Sequence, residues 1–245
     1  SQCLGSGWDH AGLLAGLWSD RSSLPTLWHG HSKDSSRRTG QSFLPQVSKE
    51  MTKIIGITGG IASGKSTVVE EIRQAGYQVI DADAVVHDLQ AKGGQLYQAL
   101  LDWLGPEILR ADGQLDRPKL SQLIFSSPEH QARSAQLQND IIRQALAQER
   151  DCLAQSEAIF FMDIPLLVEL DYLDWFDAIW LVYVDEDKQV QRLMERNGYN
   201  QTQVQQRIAT QMPLLEKKKY ATLILDNNGS LEDLQQQVRQ ALKNL

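Results

Sequence analysis

Residues 59–66 read GGIASGKS, and they carry the strongest fold signal in the sequence. This stretch satisfies G-x-x-x-x-G-K-[ST], the pattern of a loop that wraps around phosphate. Glycines are required because the chain must turn until successive backbone N–H groups point at phosphate oxygens, and a Cβ would obstruct the turn or the approach. The loop also opens a helix, whose N-terminal amides and dipole favour an anion. We refer to residues 59–66 as the phosphate loop.

The segments on both sides of the phosphate loop support this interpretation. Residues 53–58 form an isoleucine-rich run typical of a buried strand in a parallel sheet. Residues 66–75 carry apolar side chains at helical spacing, and Gly76 is placed to end that helix. Residues 77–80 predict a second strand, so that a βαβ unit is complete within about thirty residues. Motif and context together predict nucleoside triphosphate binding.

The remainder of the chain alternates between helical and strand patterns. Residues 84–157 have a helical period with breaks at glycine and proline, and they predict a helical insertion between strands of the sheet. Further strands are expected at 158–162, 178–184 and 222–225, and helices at 185–197, 202–211 and 231–242. This alternation predicts an α/β fold with a doubly wound parallel sheet and right-handed crossovers.

Composition argues against several classes of protein. The 245 residues include 24 basic and 31 acidic side chains, so the broad cationic surface that attracts nucleic acid is not expected. No run approaches the roughly eighteen consecutive apolar residues that indicate a membrane helix. Cys3 and Cys152 have no metal-like spacing, and they fit a reducing compartment. We therefore expect a soluble, cytoplasmic protein without nucleic-acid or membrane partners; its oligomeric state is open, and a monomer is favoured.

Residues 1–50 differ from the rest of the chain. They are rich in Ser, Gly and His, and they keep neither a helical nor a strand period for long. The apolar stretch at 11–18 has no basic start and is flanked by Asp9 and Asp20, so a signal peptide is not favoured. Because Met51 directly precedes the first strand, we expect the folded protein to span 51–245. Residues 1–50 would then be an artificial extension or a functional, mostly disordered leader.

The two residues after the last loop glycine supply charge and a metal ligand. Lys65 is expected to bridge the β- and γ-phosphates, and the Ser66 hydroxyl is expected to bind Mg²⁺. A bound triphosphate serves kinases, GTPase switches and motors alike, so the second substrate decides the function.

Residues 79–83 read VIDAD and place Asp81 and Asp83 at the carboxyl end of the second strand, the sheet edge where ligands bind. Phosphoryl transfer to an alcohol needs a carboxylate that accepts the hydroxyl proton, and a second carboxylate can orient the acceptor or a metal-bound water. If the strand continued, both side chains would point to the same side. The alternative is that one of them caps the next helix. The sequence favours a functional pair.

Asp163 has two interpretations. It follows an apolar strand, as an aspartate of the Walker B type does, and would then bind Mg²⁺ through water. It also precedes Pro165 closely, as a turn residue would.

Two groups of basic residues follow in the polar, helical part of the chain. Arg192, Arg196 and Arg207 lie on either side of an Asn-Gly break, and arginines on such a hinged helical pair would close over the triphosphate and exclude water. Each of them alone would be a solvated surface residue. The run at 217–219, KKK, is expected to be solvated surface charge, and the alternative is that one of these lysines contacts a phosphate.

Four motifs in order resemble the dephospho-coenzyme A kinase family: TGGIASGKST at 58–67, VIDAD at 79–83, PLLVE at 165–169 and DNNG at 226–229. The resemblance covers residues 51–245. It implies transfer of the γ-phosphate of ATP, with Mg²⁺, to the ribose 3′-hydroxyl of dephospho-coenzyme A, the last step of coenzyme A synthesis. It also implies a P-loop nucleotide core (51–83 and 158–245), an acceptor-binding helical insertion (84–157) and a helical lid (about 187–219).

The resemblance also assigns residues. Asp83 is implied as the catalytic base, with Lys65, Arg192 and Arg196 as further catalytic residues. Acceptor binding falls to Asp81 and Asp83, and the metal to Ser66. His87 follows the VIDAD motif and would also touch the acceptor; the alternative is that it is a surface residue of the helix. The nucleotide-binding set is Gly60, Ile61, Ala62, Ser63, Gly64, Lys65, Ser66, Thr67 and Asn228.

The chain departs from the family pattern at three places. Asn139-Asp140 stands where many members have His-Pro, which leaves the local acceptor contacts open. Thr222 stands where an aspartate is usual. Asp163 stands where relatives often have an apolar residue, which weakens a metal role for it. Two other functions are open: a nucleoside-monophosphate kinase, and an ATP-dependent switch that recruits a protein partner.

Overall fold

The computed structural model describes residues 52–245. The expectations for residues 1–50, Met51 and Cys3 lie outside the described residues. Within the described range no helix is long and apolar enough to cross a membrane.

A five-stranded parallel sheet forms the centre, with the strand order β2-β3-β1-β4-β5. The strands are β1 (Lys53–Gly59), β2 (Val79–Asp81), β3 (Ile159–Asp163), β4 (Ala178–Tyr183) and β5 (Leu223–Asp226). The central strands β1, β3 and β4 are covered on both faces, which explains why their sequences are almost continuously apolar. The predicted parallel α/β sheet is confirmed, and the strand bounds differ from the predicted ones by one or two residues.

Nine α-helices connect the strands and cover the sheet in the described part of the chain. They are α1 (Lys65–Gln74), α2 (Ala82–Gln90), α3 (Gln95–Leu104), α4 (Arg117–Ile124), α5 (Pro128–Leu153), α6 (Glu186–Asn197), α7 (Gln201–Ala209), α8 (Leu214–Lys217) and α9 (Leu231–Lys243). Short 3-10 turns occupy Pro106–Ile108, Leu173–Trp175 and Lys218–Tyr220. Helix α1 ends as predicted, since Gly76 follows it with φ +94°.

Two hydrophobic cores lie on opposite faces of the sheet. On one face α1 and α9 pack over β1 and β4 through residues such as Ile57, Ile72 and Leu234. On the other face the helices between β2 and β3 build a larger core that includes Leu100, Leu146 and the buried ring of Tyr172. The helical insertion therefore shares its core with one face of the sheet. A third, small cluster joins the phosphate loop to helices α6 and α7.

The register brings three strand ends to one edge. Asp163 at the end of β3 is level with Asp81 at the end of β2, and with Ile57 near the end of β1. Because all strands are parallel, the phosphate loop and the two aspartates emerge at the same carboxyl edge, where α/β sheets bind ligands.

Candidate active site

The phosphate loop connects β1 directly to α1. Its turn uses two residues with positive φ, Ala62 at 58° and Gly64 at 93°, and Gly64 occupies the N-cap of α1. A Cβ on Gly64 would overlap the side-chain amide of Asn227. Glycine is thus required at this position both for its φ and for the space. The predicted strand–loop–helix context of the motif is confirmed.

Lys65 forms an ion pair and a hydrogen bond with Asp163 Oδ1. The Asp163 side chain is 8% exposed and that of Lys65 is 17% exposed. Burial raises the pKa of Asp163 above its usual value, Lys65 offsets part of the rise, and the nearby carboxylates Asp81 and Asp83 add to it. Asp163 is the last residue of β3, so its interpretation as a turn residue is wrong.

Asp81 and Asp83 have different local roles. The strand does not continue past Asp81: helix α2 begins at Ala82, so the expected same-side arrangement does not arise. Asp81 Oδ1 instead accepts hydrogen bonds from the N–H groups of Asp83 and Ala84, at 3.0 and 3.1 Å, and caps the helix. Asp83 lies in the first turn of α2, half-buried, with its Oδ1 shielded from solvent.

A mostly apolar pocket lies directly beside Asp83, between α2, α5 and the segment after β3. Its lining residues are Ala82, Asp83, Val86, Asn139, Ile142, Leu146, Ile164, Pro165, Leu166, Leu170 and Tyr172. Asn139, one of the four residues that depart from the family pattern, is therefore in a position to contact a molecule held beside Asp83. His87 lies one helical turn beyond Asp83; its side chain is 60% exposed, with Nδ1 3.5 Å from Asp88 Oδ1.

The predicted lid arginines lie on α6 and α7. Arg192 Nη2 donates to the backbone carbonyl of Asn227 at 2.9 Å. Arg196 donates through Nε to Asn197 Oδ1, also at 2.9 Å. The guanidinium of Arg207 stacks over the Tyr199 ring, 4.3 Å from its centroid. Arg192 is thereby placed against the loop after β5, which itself contacts the phosphate loop.

The loop after β5 meets the phosphate loop through a residue that the sequence did not single out. Asn227 is buried and donates through Nδ2 to Ser63 O at 2.7 Å. Asn228, the predicted nucleotide ligand, accepts a hydrogen bond from the Asp185 N–H at 3.0 Å, and its carbonyl accepts one from Lys188. The DNNG motif was a signal for this contact, but only the fold distinguishes its two asparagines.

The prediction that Lys217 is solvated is wrong. Its side chain is fully buried, with Nζ 2.9 Å from Glu169 Oε1 and 3.2 Å from Pro165 O. Burial lowers the pKa of Lys217, and the neighbouring Glu169 carboxylate offsets part of that decrease. Helix α8 turns this lysine inward toward the PLLVE segment, which places Glu169 and the Pro165 carbonyl as its partners. A run of three lysines in sequence carries no sign of that direction; its last member, Lys219, is exposed as expected.

Two buried glutamines also contact the phosphate loop and were not predicted. Gln189 on α6 donates through Nε2 to Ile61 O at 2.7 Å, and Gln211 after α7 accepts through Oε1 from Ile61 N at 2.9 Å. Thr222, a departure from the family pattern, exchanges hydrogen bonds with the backbone of Ile179. That departure therefore concerns the start of β5 and not the phosphate loop.

Fold and site together define a P-loop phosphotransferase: a parallel sheet, a phosphate loop opening a helix, and carboxylates at the adjacent strand ends. The family model described as dephospho-CoA kinase matches residues 53–233. The chain belongs to the dephospho-CoA kinase family.

Individual relatives agree with this assignment. A dephospho-CoA kinase of Streptococcus agalactiae serotype Ia is 65% identical over 195 residues, which are 80% of this chain and 100% of the relative. One of Streptococcus mutans is 64% identical over 195 residues, 80% of this chain and 98% of the relative. Among solved structures, a Thermus thermophilus protein is 36% identical with a TM-score of 0.65, over 79% of this chain and 98% of that one. The Campylobacter jejuni dephospho-CoA kinase shares the fold: it is 23% identical with a TM-score of 0.62, over 79% of this chain and 97% of that one.

Proposed function

We propose that this protein transfers the γ-phosphoryl group of ATP to the 3′-hydroxyl of the ribose of dephospho-CoA, giving CoA and ADP. The observation that carries the proposal is the meeting of the phosphate loop and Asp83 at one edge of the sheet, beside a pocket that can receive an acceptor. Family membership supports the choice of acceptor.

The reaction assigns a task to each group. Asp83 accepts the proton of the 3′-hydroxyl as its oxygen bonds to the γ-phosphorus, while the bond from that phosphorus to the bridging oxygen breaks and ADP leaves with the electron pair. Lys65 neutralises charge on the β- and γ-phosphates, and Arg192 and Arg196 add positive charge from the lid segment, residues 187–219. The loop backbone from Gly60 to Thr67 cradles the phosphates.

The donor set fits Mg²⁺ bound together with the triphosphate. None of the groups of acidic, histidine and cysteine side chains within residues 52–245 forms a metal-binding cluster of three. Mg²⁺ in phosphoryl-transfer sites is usually held by one or two protein oxygens, substrate phosphates and water, so such a cluster is not required. The Ser66 hydroxyl would hold it, and Asp163 would reach it through water. When bound, the ion neutralises charge that develops on the phosphate oxygens.

We further propose that the protein acts in the cytoplasm as a monomer, on these two small molecules and without nucleic acid. The net charge of −7 supports the absence of a nucleic-acid partner. Light scattering after gel filtration tests the monomer, and a dimer mass would refute it.

A coupled ATP-consumption assay on the full chain tests the function. Dephospho-CoA should be consumed and should gain one phosphoryl group by mass, with ³¹P NMR placing it on the ribose 3′-oxygen. AMP, CMP and shikimate serve as competing acceptors. Preferred turnover of AMP or CMP would establish the nucleoside-monophosphate kinase instead, and ATP binding without transfer to any acceptor would favour the binding switch.

A further inference from the structure

Ile61, the third residue of the phosphate loop, is held from both ends of the lid segment. Its carbonyl accepts from Gln189 on α6 at 2.7 Å, and its N–H donates to Gln211, just beyond α7, at 2.9 Å. Both glutamines are buried, with 4% and 7% of their surface exposed. The two bonds are therefore shielded from competing water, although they join the phosphate loop to a polar, helical segment far from it in sequence.

The directions of these bonds are determined by the backbone. A backbone N–H can only donate and a backbone carbonyl can only accept. Gln189 must therefore present its NH₂ group to Ile61, and Gln211 must present its oxygen. The two glutamines are not interchangeable, and this difference can be tested by substitution.

The side chain of Ile61 belongs to the core of the lid segment. It is 7% exposed and packs in one cluster with Leu193 of α6 and Val204 of α7, both fully buried. Partly buried residues of the same cluster include Tyr199 and Ile208. A residue of the phosphate loop thus completes the small core that α6 and α7 share, so the loop and the two helices pack as one unit.

Arg192 is placed by the same arrangement. It follows Gln189 by three residues on α6, so the two side chains lie on the same side of the helix, about 4.5 Å apart along its axis. Arg192 donates to the carbonyl of Asn227, whose side chain donates to Ser63 O. Helix α6 therefore contacts the phosphate loop twice: directly at Ile61 through Gln189, and at Ser63 through Arg192 and Asn227.

We propose that Gln189 and Gln211 are positioning residues for phosphoryl transfer: they hold the lid segment on Ile61 so that Arg192 meets the phosphoryl group bound in the phosphate loop. This inference rests on the proposed function. It adds to that function a specific coupling between the backbone of the loop and an arginine of the lid segment, carried by two uncharged residues that do not contact substrate.

A double-mutant cycle in kcat tests the coupling. Q189M keeps the length of the side chain and removes the donor; Q191M, on the same helix but exposed, is the matched control. In the wild-type background R192A should lower kcat by about 10³-fold, as loss of a transition-state arginine does. In the Q189M background the same change should cost only about 10- to 30-fold, because Arg192 is already misplaced. Q189M alone should lower kcat by about 30- to 100-fold, with less than a threefold change in the KM for dephospho-CoA.

A pair of charge-matched variants tests the bond directions. Q211E keeps an acceptor for the Ile61 N–H, whereas Q189E faces the Ile61 carbonyl with a carboxylate; both add one negative charge beside the same residue. At saturating ATP, Q211E should keep kcat within about threefold of the wild-type value. Q189E should lose as much kcat as Q189M does, because its carboxylate cannot donate to the Ile61 carbonyl. Thermal midpoints are measured for all variants, and if the Gln189 variants do not fold, Q211E against Q211M carries the comparison.

The outcomes separate the inference from the function. Wild-type turnover of dephospho-CoA with additive effects of Q189M and R192A, or equal kcat for Q189M and Q191M, refutes the coupling and leaves the function standing. No difference between Q211E and Q211M refutes it as well. Absence of turnover by the wild-type protein with its own acceptor refutes the function, and with it this inference.

Discussion

Replacing Glu169 by glutamine should strongly destabilise the protein, because it leaves a buried lysine without its counter-charge. Lys217 is fully buried. Glu169 Oε1 accepts from the Lys217 Nζ and from the Met212 N–H, each at 2.9 Å. Glutamine keeps an oxygen for the Met212 N–H, so the substitution isolates the lost charge. Removing one partner of a buried ion pair costs about 3–5 kcal/mol. For a domain of this size that corresponds to a fall in Tm of about 6–20 °C.

The matched variant is E169Q/K217M, which removes both charges and fills the space with an apolar side chain. Most of the lost free energy of unfolding should return, to within about 1–2 kcal/mol of wild type, since an apolar replacement of a whole buried pair is often close to neutral. Urea unfolding followed by circular dichroism measures all three proteins. Equal stability of E169Q and wild type, or a double variant no more stable than E169Q, would contradict this account of the pair.

The pH dependence of E169Q provides a second check on the same pair. Burial already lowers the pKa of Lys217 below its usual 10.5, and loss of Glu169 lowers it further, because Glu169 favours the charged form. Between the lowered folded-state pKa and the ordinary value, the unfolded chain binds more protons than the folded one, so stability rises with pH. The difference in free energy of unfolding between E169Q and E169Q/K217M should therefore become smaller as the pH rises from 7 toward 10. A difference that becomes larger over this pH range would contradict a lowered pKa for Lys217.

Four further substitutions test the phosphate site. D83N should leave ATP binding nearly unchanged and lower kcat about 10²- to 10⁴-fold, measured by equilibrium binding and steady-state kinetics; normal turnover would transfer the base role to Asp81. K65A should weaken both ATP affinity and turnover, and unchanged affinity in a binding titration would count against its phosphate role. G64A should cost at least about 1–2 kcal/mol in unfolding because of its left-handed φ of 93°, and a neutral result would contradict the turn geometry. Burial raises the pKa of Asp163 above 3.8, so the free energy of unfolding of the wild type should fall relative to that of D163N as the pH rises from about 4; an identical pH dependence of the two proteins in urea unfolding would contradict this.

Local sequence determined the elements and the phosphate loop, because both depend on short-range patterns. Apolar runs predicted the strands, the glycines around Ile61 predicted the turn, and Gly76 ended helix α1 where it was expected. The order of these elements was sufficient to predict a parallel sheet, because strands that alternate with helices pair through crossovers.

Neighbouring residues of the same type take different roles in this protein, and the tertiary structure assigns those roles. Asp81 caps α2 and Asp83 borders the pocket, because the chain turns into a helix between them. Lys217 is buried and Lys219 is exposed, because one short helix directs only the first toward Glu169.

The same holds for contacts between distant segments. Gln189 and Gln211 meet at Ile61 from positions more than a hundred residues along the chain, so neither has a local signal for its partner. Spacing patterns report which face of a helix or strand is apolar. Which of two neighbouring polar side chains meets a buried backbone group depends on how separate elements pack, and only the assembled fold determines that.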